Sequence, residues 1–157
     1  MMLARRPFKP LDGGGYRVKL GAPERAAIRD VCAELRTLVV ANDAAAARLF
    51  PPAFRDDEGA SAAFDELIHD DLEAQRLATF DTVAASLDAD RLDEEQAAAW
   101  CGALNDARLV LGERLGVTED LYENGIPRDD PHARELAFYA WLTWLQGELV
   151  EALSTRL

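Results

Sequence analysis

Between Ile28 and Val39 the apolar side chains Ile28, Val31, Cys32, Leu35, Leu38 and Val39 recur at three- and four-residue intervals. That spacing lines one face of an α-helix and leaves the opposite face to solvent. Such a stripe must be buried against another element, so the chain needs partners of the same kind. It has them. Phe64, Ile68, Leu72, Phe80, Val83 and Leu87 form a second stripe, interrupted at Arg76 where the next apolar residue should fall. Trp100, Leu104, Ala107, Leu111 and Leu115 form a third, and Phe138, Leu142, Leu145, Leu149 and Leu153 a fourth.

Local punctuation divides the stripes into helices. Pro23 opens the first, where a missing N–H costs nothing. A short alanine-rich turn over Asp43–Leu49 follows, and Phe50-Pro51-Pro52-Ala53-Phe54 forms a stiff elbow with apolar anchors on both sides. The second helix is expected from Glu58 or Ser61 to Leu87. The linker 88–92 leads into Asp93-Glu94-Glu95, an acidic first turn that complements the helix dipole, and Gly116 caps the far end after Leu115. Residues 117–130 read as a loop, with Asp130-Pro131 as cap and first residue of the last helix. Ahead of all this, Asp12-Gly13-Gly14-Gly15 separates two short arms, and Tyr16-Arg17-Val18-Lys19-Leu20 alternates at the strand period. The expected fold is mostly α: one domain over 1–157, with a small β-hairpin in 1–22 and a four- to five-helix bundle in 23–157.

The net charge of −12 is uneven. Residues 1–20 hold five cations against Asp12 alone, a net of +4, which leaves −16 on the other 137 residues. An acidic body repels phosphate backbones, so direct nucleic-acid binding is not expected outside the basic N-terminus. The acidity serves solubility, or offers a face to a basic protein partner. No apolar run reaches the length of a membrane helix and no signal segment follows Arg5 and Arg6, so a cytoplasmic protein is expected. Fifteen of the seventeen basic residues are Arg, a bias that fits a GC-rich genome.

No catalytic constellation stands out. Glu66-x-x-His69 puts two metal-type side chains on one helix face, but His132 has no glutamate three residues before it, so a di-metal carboxylate site is not expected. Cofactor and metal are both read as none. The glycine run precedes a strand and does not open a helix, so it is no phosphate loop. Arg108 lies within about 40° of Leu104 by helical period, and Arg76 likewise interrupts its stripe; both guanidiniums should point inward. A buried guanidinium needs an acidic partner. Asp106 faces the other way on Arg108's helix, so Asp71, Asp57 or Glu135 are the expected partners in structural ion pairs. Cys32 and Cys101 lie on or beside core stripes, as buried cysteines usually do; a redox pair would need their helices adjacent. Trp141 and Trp144, with Ala137 and Ala140, make a second apolar strip on the last helix. Either the hairpin covers it, or it is an interface with a partner or a second copy of the chain.

Several segments together resemble an actinobacterial family carrying a domain of unknown function, whose members are described as AosR-like oxidative-stress regulators. The matching residues are Leu49-Phe50-Pro51-Pro52-Ala53-Phe54 with Asp56-Asp57, Asp71-Leu72 with Arg76-Leu77, Trp100 with Leu104-Asn105-Asp106-Ala107-Arg108-Leu109-Val110-Leu111-Gly112, and Trp141-Leu142 with Leu145-Gln146. The resemblance implies a non-enzymatic regulator acting through protein contacts, with partners in transcription or proteolysis. The alternative is an enzyme or ligand-binding bundle built on Arg76, Arg108 and nearby carboxylates.

Overall fold

The computed structural model describes residues 6–50 and 58–155. Strands β1 (Phe8–Pro10) and β2 (Tyr16–Val18) form the hairpin, and helix α1 spans Ala22–Val40. A 3-10 segment over Ala44–Leu49 follows. Helix α2 runs Glu58–Ser86, a third strand β3 covers Arg91–Leu92, and α3 spans Glu94–Leu115. A short α4 (Glu119–Asn124) precedes α5 (Ala133–Ser154). The architecture is the expected helical bundle with an N-terminal hairpin, and it differs in detail.

The hairpin is part of a three-stranded antiparallel sheet in the order β1-β2-β3. Phe8 sits opposite Val18, and Tyr16 opposite Leu92. Nothing in the linker 88–92 marked it as a strand, because two residues carry no periodicity. The turn demands glycine: Gly15 has φ +78°, and a Cβ there would lie 2.7 Å from the Leu92 carbonyl oxygen. Alternation along the strands turns Phe8, Tyr16, Val18 and Leu92 inward, all buried. Phe8 meets Trp100 edge-on at 6.1 Å, and the Tyr16 hydroxyl reaches Glu94 at 2.8 Å. The sheet is therefore riveted to the start of α3.

Helix α3 is the central element, packed against α1, α2, α5 and the 3-10 segment. Its cap geometry follows from its sequence. Asp93 and Gln96 form a reciprocal capping box, and Gly116 takes the left-handed conformation at φ +63°. Trp100, fully buried, donates its indole N–H to the Ser86 hydroxyl at 2.9 Å, which fastens α3 to the end of α2. The buried residues of α3 (Trp100, Ala103, Leu104, Asp106, Ala107 and Val110) spread over about 160° of its circumference, and every residue between Ala99 and Gly112 is buried or half-buried. A helix with no solvent face there has no single stripe.

Other elements depart from expectation. Phe64, placed in the core by periodicity, is 41% exposed, and Leu67 is 72% exposed; the buried part of the α2 stripe begins near Phe80. Helix α5 starts at Ala133, because Asp130 accepts the His132 N–H at 2.7 Å and closes a turn ahead of the helix. The loop over 117–130 contains α4. The elbow from Pro51 onward lies outside the described residues. Among the described residues no helix is long and apolar enough to cross a membrane.

Arg25, unremarkable in sequence, joins three elements. Its guanidinium donates to the carbonyls of Leu20 at 3.0 Å, Leu87 at 2.7 Å and Ala89 at 2.8 Å. Its side chain is only 11% exposed. Arg25→Met keeps the stem and leaves three carbonyls without their donor, which should cost about 2–4 kcal/mol in urea unfolding. Arg29→Met removes only a half-exposed pair with Asp88 at 3.4 Å and should change stability by less than about 0.5 kcal/mol.

Candidate functional site

The polar groups that enter the interior come from the Leu104–Gly112 segment and the helices facing it. On α3, Asp106 and Arg108 are two positions apart, so they point about 160° from each other. Asp106 therefore turns toward α2, and Arg108 toward α5.

Asp106 is 1% exposed. Arg76 of α2 reaches it with Nη1 2.5 Å from Oδ1. The ion pair expected at Arg76 exists, but its partner is neither Asp71 nor Glu135, both exposed; Asp57 lies outside the described residues. The expectation failed because it set Asp106 aside as facing away from Leu104. On a central helix that direction is another packed interface. Burial raises the Asp106 carboxyl from 3.8 to about 6, and the charge and hydrogen bond of Arg76 only partly oppose it. The guanidinium side chain is 29% exposed, so water screens part of its attraction. The second oxygen, Oδ2, is buried and accepts no hydrogen bond from the described residues.

Arg108 has a different environment. Its Nε donates to the Thr143 hydroxyl at 3.0 Å, Nη1 donates to the Gln146 amide oxygen, and the guanidinium carbon stands 6.0 Å from the centre of the Tyr139 ring. All three partners are neutral and belong to α5. Among the described residues, the expected acidic partner for Arg108 is thus corrected to a hydroxyl, an amide and an aromatic face. Arg108, Arg48, Gly112, Glu113 and Tyr139 line a small cavity of about 130 Å³.

The two cysteines are free thiols. Burial, and then the nearby Asp106 carboxylate, push Cys32 up to about 12. Burial raises Cys101 as well, opposed by a hydrogen bond with Gln146. Both thiols stay protonated at neutral pH, which suits packing rather than nucleophilic attack. Cys32 borders α2, in a groove with Phe80 and Val83, whereas Cys101 meets α5. Asp106 and Cys101 lie about 140° apart around α3, so the thiols stand on different sides of that helix.

His69 packs against Phe50 with tilted rings 4.2 Å apart, and its ion-pair neighbour is Glu73, at 3.7 Å, one turn further along the helix. Among the described residues no group of three or more His, Cys, Asp or Glu could hold a metal ion.

The tryptophans separate. Trp141 is half-buried, stacks on Phe138 at 5.7 Å and packs against the core. Trp144 is 42% exposed. With Leu121, Ile126 and Ala140 it lines an apolar groove of about 440 Å³ between α4 and α5. The hairpin instead meets the far end of α5, where Arg6 pairs with Glu151 at 3.3 Å. The groove was invisible in the sequence because α4 and the segment after it were read as loop.

These features define a helical-bundle domain with a buried carboxylate–guanidinium pair between its second and third helices. The family model described as Domain of unknown function (DUF2017) matches residues 5–153, and the chain belongs to that family. No curated protein and no solved structure matches the chain.

Because burial lifts Asp106 above its unfolded value, the native state takes up a proton that the unfolded chain does not. The stabilisation from that proton is complete below pH 3.8 and is lost as the pH rises through about 6. Relative to Asp106→Asn, the natural chain should therefore gain about 2–3 kcal/mol between pH 7 and pH 4. Parallel denaturation series of the two proteins measure it. A difference that does not change with pH would contradict this environment for Asp106.

Proposed function

We propose that this chain is a non-enzymatic regulatory protein that works through protein–protein contacts, in the oxidative-stress or transcriptional response of an actinobacterium. The resemblance of the Leu104–Gly112 segment and its companions to AosR-like regulators supplies the biological setting. The observation that carries the interaction reading is the groove beside Trp144. It is apolar, it holds a partly exposed tryptophan, and aromatic anchors of that kind dominate protein interfaces. Between residues 119 and 135 six carboxylates stand against Arg128 and Arg134 alone. A partner with an apolar anchor flanked by basic residues fits that setting. A component of the transcription or proteolysis machinery is the expected class of partner.

A second reading, a ligand-binding bundle, is favoured by one observation: among the described residues Arg108 is bonded to neutral groups only.

The test compares tagged wild-type and Trp144→Ala proteins recovered from peroxide-stressed cells. Wild type should retain a transcription or proteolysis component. The variant should lose it, with an affinity drop of about 2 kcal/mol or more and an unchanged circular dichroism spectrum. Equal recovery by both proteins would remove the groove from the account, and recovery of no such component would remove the regulatory reading.

A further inference from the structure

Arg108 is half-buried, and among the described residues its polar partners are the Thr143 hydroxyl and the Gln146 amide oxygen. Such groups orient a guanidinium but leave its charge unanswered. Arg76, by contrast, has Asp106. The two bonds engage two of the five N–H donors of an arginine, so the fork is not exhausted.

The cavity bordering Arg108 suits the missing charge. Its volume of about 130 Å³ exceeds the ~30 Å³ share of one water several-fold, enough for a small organic anion. At its rim Arg48 and Glu113 pair at 2.9 Å and offset each other, so Arg108 sets the net charge of the lining at +1. Its wall is held in place: a Cβ on Gly112 would come 3.1 Å from the Tyr139 ring, so glycine lets that ring rest on α3 beneath the guanidinium. Leu109 and Val117 complete a lining that is otherwise polar.

We infer that this cavity binds a small carboxylate, with Arg108 as its cationic anchor. A planar carboxylate matches the planar guanidinium fork, and the mostly polar lining suits a small, hydrophilic acid. The carboxylate belongs to a free organic acid or to the C-terminus of a protein chain. The inference stands apart from the regulatory reading and does not depend on the Trp144 groove.

The experiment is an NMR titration of the full chain at ~0.15 M salt, where long-range repulsion by the acidic body is largely screened. The probes are acetate and an N-acetylated dipeptide with a free C-terminus, with chloride and the dipeptide amide as controls. Acetate should shift the Arg108 side-chain and Gly112 amide signals saturably, with a dissociation constant of ~1–10 mM. Arg108→Gln should weaken this about tenfold or more. Glu113→Gln, a change at an exposed position that spares the fold, should tighten it about threefold by removing a rim charge. A dipeptide that binds more tightly than acetate assigns the site to a chain end; equal or weaker binding assigns it to a free acid. No saturable shift with either acid, the same shift with chloride, or indifference to Glu113→Gln would overturn the proposal.

Discussion

The carboxylate of Asp106 is the charge that α3 carries deepest into this molecule, and the packing of α2 on α3 has to accommodate it. An isolated carboxylate at 1% exposure would cost many kcal/mol or give up its ionisation. Arg76 reduces that penalty by reaching in from α2 with its outer end still partly wetted. The compromise is visible in the titration of Asp106, displaced upward in spite of its partner. Such a pair is a weak source of stability and a strong source of register, since sliding α2 along α3 by one turn would strand the carboxylate. The Trp100–Ser86 hydrogen bond at the other end of the interface imposes the same register.

Much of this was legible in the residues. The α1 stripe is buried as its spacing requires, with Ile28, Cys32, Leu35 and Val39 inside. Gly116 ends α3 in the left-handed conformation that glycine tolerates, and the acidic run at its start stands as expected, with Asp93 itself as the cap and Glu94 and Glu95 in the first turn. The glycine run makes the turn, and Leu142, Leu145 and Leu149 carry the core face of α5. What escaped did so for separate reasons. Helical-wheel reasoning assumes a dry side and a wet side, and α3 has no wet side in its middle, so Asp106 looked misplaced when it faced α2. Arg25 gave no signal because its hydrogen bonds go to backbone carbonyls, which no sequence distinguishes. β3 is two residues long, and its pairing comes from β2 rather than from its own pattern. Phe64 shows the opposite failure: periodicity marks a face as apolar but does not say what the first turns of a long helix pack against.

The two arginines singled out by the sequence serve different ends. Arg76 compensates a charge, whereas Arg108 introduces one, and α5 answers it only with dipoles and an aromatic face. The same helix builds the outer wall of the Trp144 groove. Tyr139 lines both the groove and the cavity beside Arg108, so the features of α5 that bear on binding lie within a few turns of one another. The α2–α3 interface, in contrast, is concerned with holding the helices together.

The central claim is that Arg76 and Asp106 act as one internal strut, and a double-mutant cycle tests it most directly. Arg76→Met and Asp106→Leu are made singly and together, and unfolding free energies are measured in urea at pH 7. Asp106→Leu alone strands a partly buried guanidinium and Arg76→Met alone strands a buried carboxylate, so each single change should cost about 2–4 kcal/mol, while the double variant should lie within about 1 kcal/mol of the natural chain. Single effects that simply add in the double variant would show that the two groups do not depend on each other, and the strut would be refuted.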